Sequence, residues 1–147
     1  MLFLAIIGAG ARFHGSNPGH TTFELTYNFK VSEVKFIIVE LGLLENMLLV
    51  VDEMGLPRSN VLTFDGDLRS VKYGCRPWTD LLLHGEADWI TFDNEAKAKN
   101  TIAALLTTSG TTGLPKSAVI SHYAFVSQGV MLQAFEDKPY EVDLIPL

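Results

Sequence analysis

Runs of apolar and polar residues alternate along the chain in a way that separates short helices from short strands. Residues 2–9 are apolar and read as a helix end, loosened by Gly8 and Gly10. Residues 12–16 fit a short strand stopped by Asn17-Pro18-Gly19, a strong turn signal. Thr21 and Glu24 have capping-box spacing, and the helix they open is predicted to turn Phe23, Tyr27 and Val31 to one face. The segment KFIIVE, residues 35–40, holds four consecutive apolar residues, as in a strand covered on both faces of a parallel sheet. Residues 43–54 have helical character and close on Gly55 with Pro57 beyond; residues 60–65, NVLTFD, are the next strand.

The second half continues the alternation. Residues 66–77 are polar and irregular, a predicted surface excursion, and WTDLLLH at 78–84 reads as a short amphipathic helix. Residues 86–100 are charged and read as a solvated connector. A buried strand is predicted at 101–107, another strand at 117–120, a helix at 123–135 and a last strand at 142–145. Strands separated by helices imply an α/β fold, a mixed and largely parallel sheet flanked by helices.

Composition narrows the function classes. A chain of 147 residues suits one domain, and a 48% hydrophobic content suffices for a substantial core. A formal charge of -6 without a dense basic run argues against a sequence-independent grip on nucleic acid. Cys75 is the single cysteine, which excludes an intrachain disulfide and points to a reducing compartment, the cytosol first. MLFLAIIGAGA resembles a signal-peptide core with Ala9-Gly10-Ala11 as a cleavage site, but no Lys or Arg precedes it. The run also falls short of the ~20 apolar residues a transmembrane helix needs, so a buried helix is the preferred reading.

The chemistry gathers in TTSGTTGLPKSA, residues 107–118. Glycines let the backbone turn tightly and let an anion approach without a Cβ in the way. Consecutive N–H groups in such a turn form a positively polarised nest for phosphate oxygens. Ser and Thr hydroxyls add rotatable donors, Lys116 adds a mobile charge, and Pro115 stiffens the exit. The Walker A pattern fails because Leu114-Pro115, not a glycine, precedes Lys116. The dinucleotide fingerprint fails too, since Phe13 stands where the third glycine should be after Gly8 and Gly10.

SGTTGLPK resembles the phosphate-loop signature of the adenylate-forming (AMP-binding) superfamily, nearest its acyl-CoA synthetase and 4-coumarate:CoA ligase-like branch. IIGAGARFHGSNPGHTTFEL, KFIIVE with LLENMLLVVDEMGLP, and WTDLLLHGEADW extend the resemblance almost end to end. It implies that residues 1–147 are part of the large N-terminal domain of such an enzyme, with the C-terminal domain, its catalytic lysine and the acyl pocket absent. The implied parent reaction joins a carboxylic acid to ATP, giving an acyl-adenylate and pyrophosphate, and then to coenzyme A. Mg²⁺ screens the phosphate charge. The implied phosphate-binding residues are Thr108, Ser109, Gly110, Thr111, Thr112, Gly113 and Lys116, with no catalytic residue and no metal ligand among them. Ser117, Thr107 and Leu41 depart from the family's usual glycine, aromatic and proline. Family members occupy cytosol or peroxisome.

Two other classes stand beside this one: a nucleotide- or phosphate-binding module without turnover, and an inactive truncated product. The hydrophobic surplus predicts exposed apolar surface and self-association. His14, His20, His84 and His122 lack metal-ligand spacing and are expected in surface or capping roles. Cys75 is expected in a polar loop without activation, and Trp78 and Trp89 against the sheet.

Overall fold

A computed structural model describes residues 2–64, 73–108 and 116–135. In chain order these form α1 (Leu2–Gly8), β1 (Phe13–Gly15), α2 (Thr22–Val31), β2 (Ile37–Val39), α3 (Leu44–Met54) and β3 (Val61–Thr63). There follow β4 (Arg76–Pro77), a 3₁₀ helix (Trp78–His84), α4 (Glu95–Asn100), β5 (Ile102–Thr107), β6 (Ser117–Ser121) and α5 (His122–Phe135). The strands make two three-stranded sheets, ordered β1-β5-β6 and β2-β3-β4. Every pairing is parallel except β5 with β6, so the mixed, largely parallel character expected holds, divided between two sheets.

Local chemistry explains the elements. Thr21 Oγ1 accepts from the Glu24 N–H at 3.3 Å while the Glu24 carboxylate accepts from the Thr21 N–H at 2.8 Å, completing the predicted capping box of α2. These bonds, to the Thr21 backbone first and then its hydroxyl, hold the Glu24 carboxyl below its usual range. α3 ends where Gly55 takes the left-handed conformation at φ 67°, and the Leu56 N–H returns to the Val51 carbonyl at 3.0 Å. The Asn60 side chain donates to the Lys35 carbonyl at 3.0 Å, aligning the entries of β2 and β3.

The main core lies between the second sheet and helices α2 and α3, built from Leu25, Phe29, Ile37, Val39, Leu44, Leu48, Val50, Val51 and Val61. All three residues of β3 are buried, as befits a central strand covered on both faces. Cys75 belongs to this core rather than to a polar loop: it is buried, and desolvation pushes its thiol pKa up.

Other local expectations are revised. α2 buries Leu25, Thr26, Asn28 and Phe29, while Phe23 and Val31 face outward. Apolar residues occupy both sides of this helix; the side that packs on α3 carries the core residues Leu25 and Phe29, and Thr26 Oγ1 reaches Glu53 Oε2 there at 3.2 Å. The connector at 86–100 contains α4, capped by the Asn94 side chain on the Lys97 N–H. Gly8 and Gly10 serve close approach: a Cβ on either would collide with Trp89 or Ile90, and the Ile90 N–H donates to the Gly8 carbonyl at 2.9 Å. Trp89 thus rests on the end of α1 instead of the sheet, whereas Trp78 stacks on Phe64 just after β3. The expected strand at 142–145 lies outside the described residues.

Candidate functional site

β5 carries the chain from the core to the surface within six residues. Ala103, Ala104 and Leu105 are buried, Leu106 is 42% exposed, and Thr108 is exposed. β6 returns antiparallel, with Leu106 opposite Ala118 and Thr107 opposite Ser117. Beyond the last pair, the Thr108 N–H donates to the Lys116 carbonyl at 2.9 Å and Thr108 Oγ1 donates to the same oxygen at 3.1 Å. Two donors on one acceptor pin the ends of the intervening segment at the mouth of a hairpin. A loop whose ends are fixed has already lost much of the closure entropy that ordering around a ligand would otherwise cost.

Of the seven residues predicted to hold phosphate, Thr108 and Lys116 are therefore neighbours across the hairpin base, both exposed. Ser109, Gly110, Thr111, Thr112 and Gly113 lie outside the described residues. In this arrangement the Thr108 hydroxyl proton is engaged by Lys116, so Thr108 acts as a clasp and its oxygen keeps only acceptor capacity. The Lys116 ammonium forms no ion pair with another described residue.

The end of the sheet from which the loop departs is shared. β1 runs parallel to β5 with Gly15 opposite Leu106, so the turn after β1 emerges beside it. That turn is built by Asn17, whose side chain accepts from the Gly19 N–H at 2.8 Å and whose carbonyl accepts from the His20 N–H at 3.1 Å. In parallel α/β sheets, ligand crevices form at such carboxyl ends.

Two clefts adjoin these elements. One, of about 850 Å³, is lined by β1, α2 and β2, with Arg12, His14, Asn17 and His20 among its polar groups. Both ring nitrogens of His14 and Nδ1 of His20 are buried without a hydrogen-bond partner among the described residues. The His14 ring stands edge-on to Phe29, and burial lowers its pKa; the nearby Leu105 backbone offsets part of that effect without forming a well-directed bond. The expectation of a surface role for His14 fails on this point. The second cleft, of about 660 Å³, lies between α4 and α5, where His122 packs on Phe92 at 4.3 Å and burial again lowers the imidazole pKa. Lys99 pairs with Glu95 at 2.6 Å and sits over the Tyr123 ring at 4.7 Å. Neither imidazole was foreseeable as half-buried, since an isolated His carries no periodic signal. Among the described residues no group of His, Cys, Asp or Glu is arranged to hold a metal ion, and no helix is long and apolar enough to cross a membrane.

Comparison with known proteins finds similarity along almost the whole chain. The sequence profile described as "AMP-binding enzyme" matches residues 1–145. Over 147 aligned residues the chain is 37% identical to the acyl-CoA ligase azaF of Aspergillus niger, covering 99% of the chain and 28% of that protein. It is likewise 37% identical to the phenylacetyl-CoA ligase epaB of Aspergillus niger, covering 99% of the chain and 27% of the relative. The chain thus spans little more than a quarter of the length of these relatives. The crystal structure of ATP-bound MatB from Rhodopseudomonas palustris superposes with a TM-score of 0.62 at 27% identity, over 91% of this chain and 24% of that one.

Proposed function

The chain belongs to the AMP-binding enzyme family, and from that premise we propose that residues 1–147 supply the triphosphate-gripping part of an ATP-dependent acyl-CoA ligase. The domain they represent is a portion of the large N-terminal adenylation domain, with catalysis completed by segments outside these residues. The single observation that carries the reading is the hairpin base, where Thr108 and Lys116 close a segment of glycines and hydroxyls at the exposed end of β5.

In this reading a carboxylate oxygen attacks the α-phosphorus of ATP, the bond to the bridging oxygen breaks, and pyrophosphate leaves with the electron pair. The thiol of coenzyme A then displaces AMP from the acyl-adenylate and loses its proton. Amides and hydroxyls of residues 109–113 hold the β- and γ-phosphates, Thr111 and Thr112 being the foremost hydroxyl donors. Lys116, exposed at the other end of the loop, supplies a point charge to the same oxygens. Mg²⁺, when bound to the triphosphate, screens its charge. Holding the leaving group in line is an orientation effect, which raises the rate without any covalent role for the loop. A cytosolic location suits the single, buried thiol of Cys75.

The test has two arms. Calorimetry on the chain should show ATP binding that Gly113→Val abolishes, because the branched side chain fills the space an anion needs. Replacing the matching segment of the Aspergillus niger ligase by residues 1–147 should preserve carboxylic-acid-dependent pyrophosphate release, again lost with Gly113→Val. ATP binding by the chain without turnover in the replacement would favour a nucleotide-binding module. Absence of both would sink the reading.

A further inference from the structure

The β5–β6 hairpin is tied at both ends, and the two ends disagree on register. At the far end the His122 N–H donates to the Thr101 carbonyl at 3.0 Å, Ile102 lies opposite Ser121, and the His122 ring packs on Phe92. Thr101 is fixed in turn to α4, its N–H and hydroxyl both donating to the Lys97 carbonyl, at 3.0 and 2.8 Å. At the loop end Thr108 is clasped to Lys116, with Thr107 opposite Ser117 and Ala104 opposite Ile120. Counted between these ties, Thr101 to Thr108 is one residue longer than Lys116 to His122. The surplus is Ala103, at the break in the ladder between Ile102 and Ala104, where it makes a β-bulge.

Burial normally fixes register, because a slip of one residue turns every side chain to the other face. β6 is an edge strand in which no residue is buried, so a slip there would expose no core. The observed register also carries a cost, since Ser117 Oγ is buried without a hydrogen-bond partner. Were the Ile102–Ser121 register to run on without the bulge, Ser117 would lie opposite Leu106, on a face where Leu106 is 42% exposed. Lys116 would then lie opposite Thr107, and Thr108 would leave the ladder with its N–H and hydroxyl proton released.

We propose that the hairpin exchanges between these two registers, and that a phosphate-bearing anion favours the second because only there can Thr108 give it both donors. A ligand shifts an equilibrium by its differential affinity for the two states, and here the difference is that pair of donors. Hydrogen bonds to an anionic phosphate oxygen are stronger than those to a neutral carbonyl, so the change of partner is favourable once the anion is present. Lys116 moves by one residue, about 3.4 Å along the strand, a distance its flexible stem spans. The choice of ATP as the anion rests on the phosphate reading above; the two registers do not.

Paired cysteines report the registers. Directly opposed residues of antiparallel strands stand about 4.5–5.5 Å apart at Cα, within the span of a disulfide. Leu106→Cys with Ala118→Cys closes only in the observed register, and Leu106→Cys with Ser117→Cys only in the second; in the other register each pair points to opposite faces. Both variants of the 147-residue chain are oxidised with diamide, with and without Mg-ATP, and intramolecular bonds are counted by peptide mass. Without nucleotide the first pair should close readily and the second more slowly. Saturating ATP should speed the second pair and slow the first, each roughly fivefold or more. Thr108→Val removes one bond of the clasp and should speed the second pair roughly two- to fivefold without ATP. Calorimetry on the same chains reports whether ATP binds. No heat would sink the phosphate reading and the anion's role together, while the nucleotide-free rates still decide the two registers. The proposal is overturned if the second pair stays open where the first closes, or if bound ATP leaves both rates unchanged.

Discussion

Thr108 is the residue on which the candidate site turns, because its amide and hydroxyl both end on the Lys116 carbonyl. Thr108→Val keeps the backbone bond, the shape and the β-branched preference while deleting the hydroxyl. One side-chain hydrogen bond at an exposed site contributes on the order of 1 kcal/mol or less. The expected outcome is a small loss in denaturant stability, with faster amide exchange at the hairpin base. An unchanged exchange rate would mean that the clasp is incidental. His14 makes a second residue-scale prediction through pH. Its folded pKa is lowered from 6.5, so the unfolded chain binds its proton first as pH falls. The stability associated with the neutral ring is present in full above 6.5 and is lost as pH drops toward the lowered folded value. His14→Phe should therefore flatten the decline of the thermal midpoint between about pH 7 and pH 5. A slope identical to that of the unmodified chain would contradict the burial argument.

At the scale of elements, termini were the most legible features, because caps are local chemistry written in neighbouring residues. The box of Thr21 and Glu24 and the left-handed Gly55 both stand where the sequence pattern puts them. Thr21→Ala should destabilise the chain by about 1 kcal/mol. It should move the Glu24 carboxyl only partway back toward its ordinary range, since alanine removes the hydroxyl bond but keeps the Thr21 backbone N–H, the larger cause of the shift. Gly55→Ala meets no atom within 4 Å, so its cost is conformational alone, roughly 1 kcal/mol in urea denaturation. Helix faces were less legible. Phe23 and Leu25 are both apolar on α2, and which side turns inward is settled by packing of Leu25 and Phe29 into the core formed with α3 and the second sheet, which local spacing does not show. Short-range spacing likewise cannot show that Cys75 closes a core, or that Gly8 and Gly10 leave room for Trp89 and Ile90 from eighty residues away. The loop itself was legible as chemistry through its composition. The clasp across its base was not, because Thr108 and Lys116 meet only once β5 and β6 pair.

At the scale of the whole molecule, the hydrophobic surplus has a location. α5 has no buried residue, although Val126, Val130, Met131, Leu132 and Phe135 are each more than half exposed. Leu82 and Leu83 on the 3₁₀ helix add further apolar surface, as does Val119 on β6. A monomer in water seldom leaves a fourteen-residue helix with apolar side chains on all sides uncovered. The chain by itself should accordingly self-associate, with an average mass by sedimentation that rises with concentration. Val126→Glu combined with Val130→Glu places charge on that helix and adds to the existing net charge of -6. Because neither valine is packed in the core, the thermal midpoint should move by less than about 2 °C while association falls sharply. In the replacement enzyme, where the rest of the family fold is present, the same pair should instead lower yield or activity if that fold covers α5. A double variant that leaves association of the isolated chain unchanged would show that another surface, such as the open edges of β1 and β2, drives it.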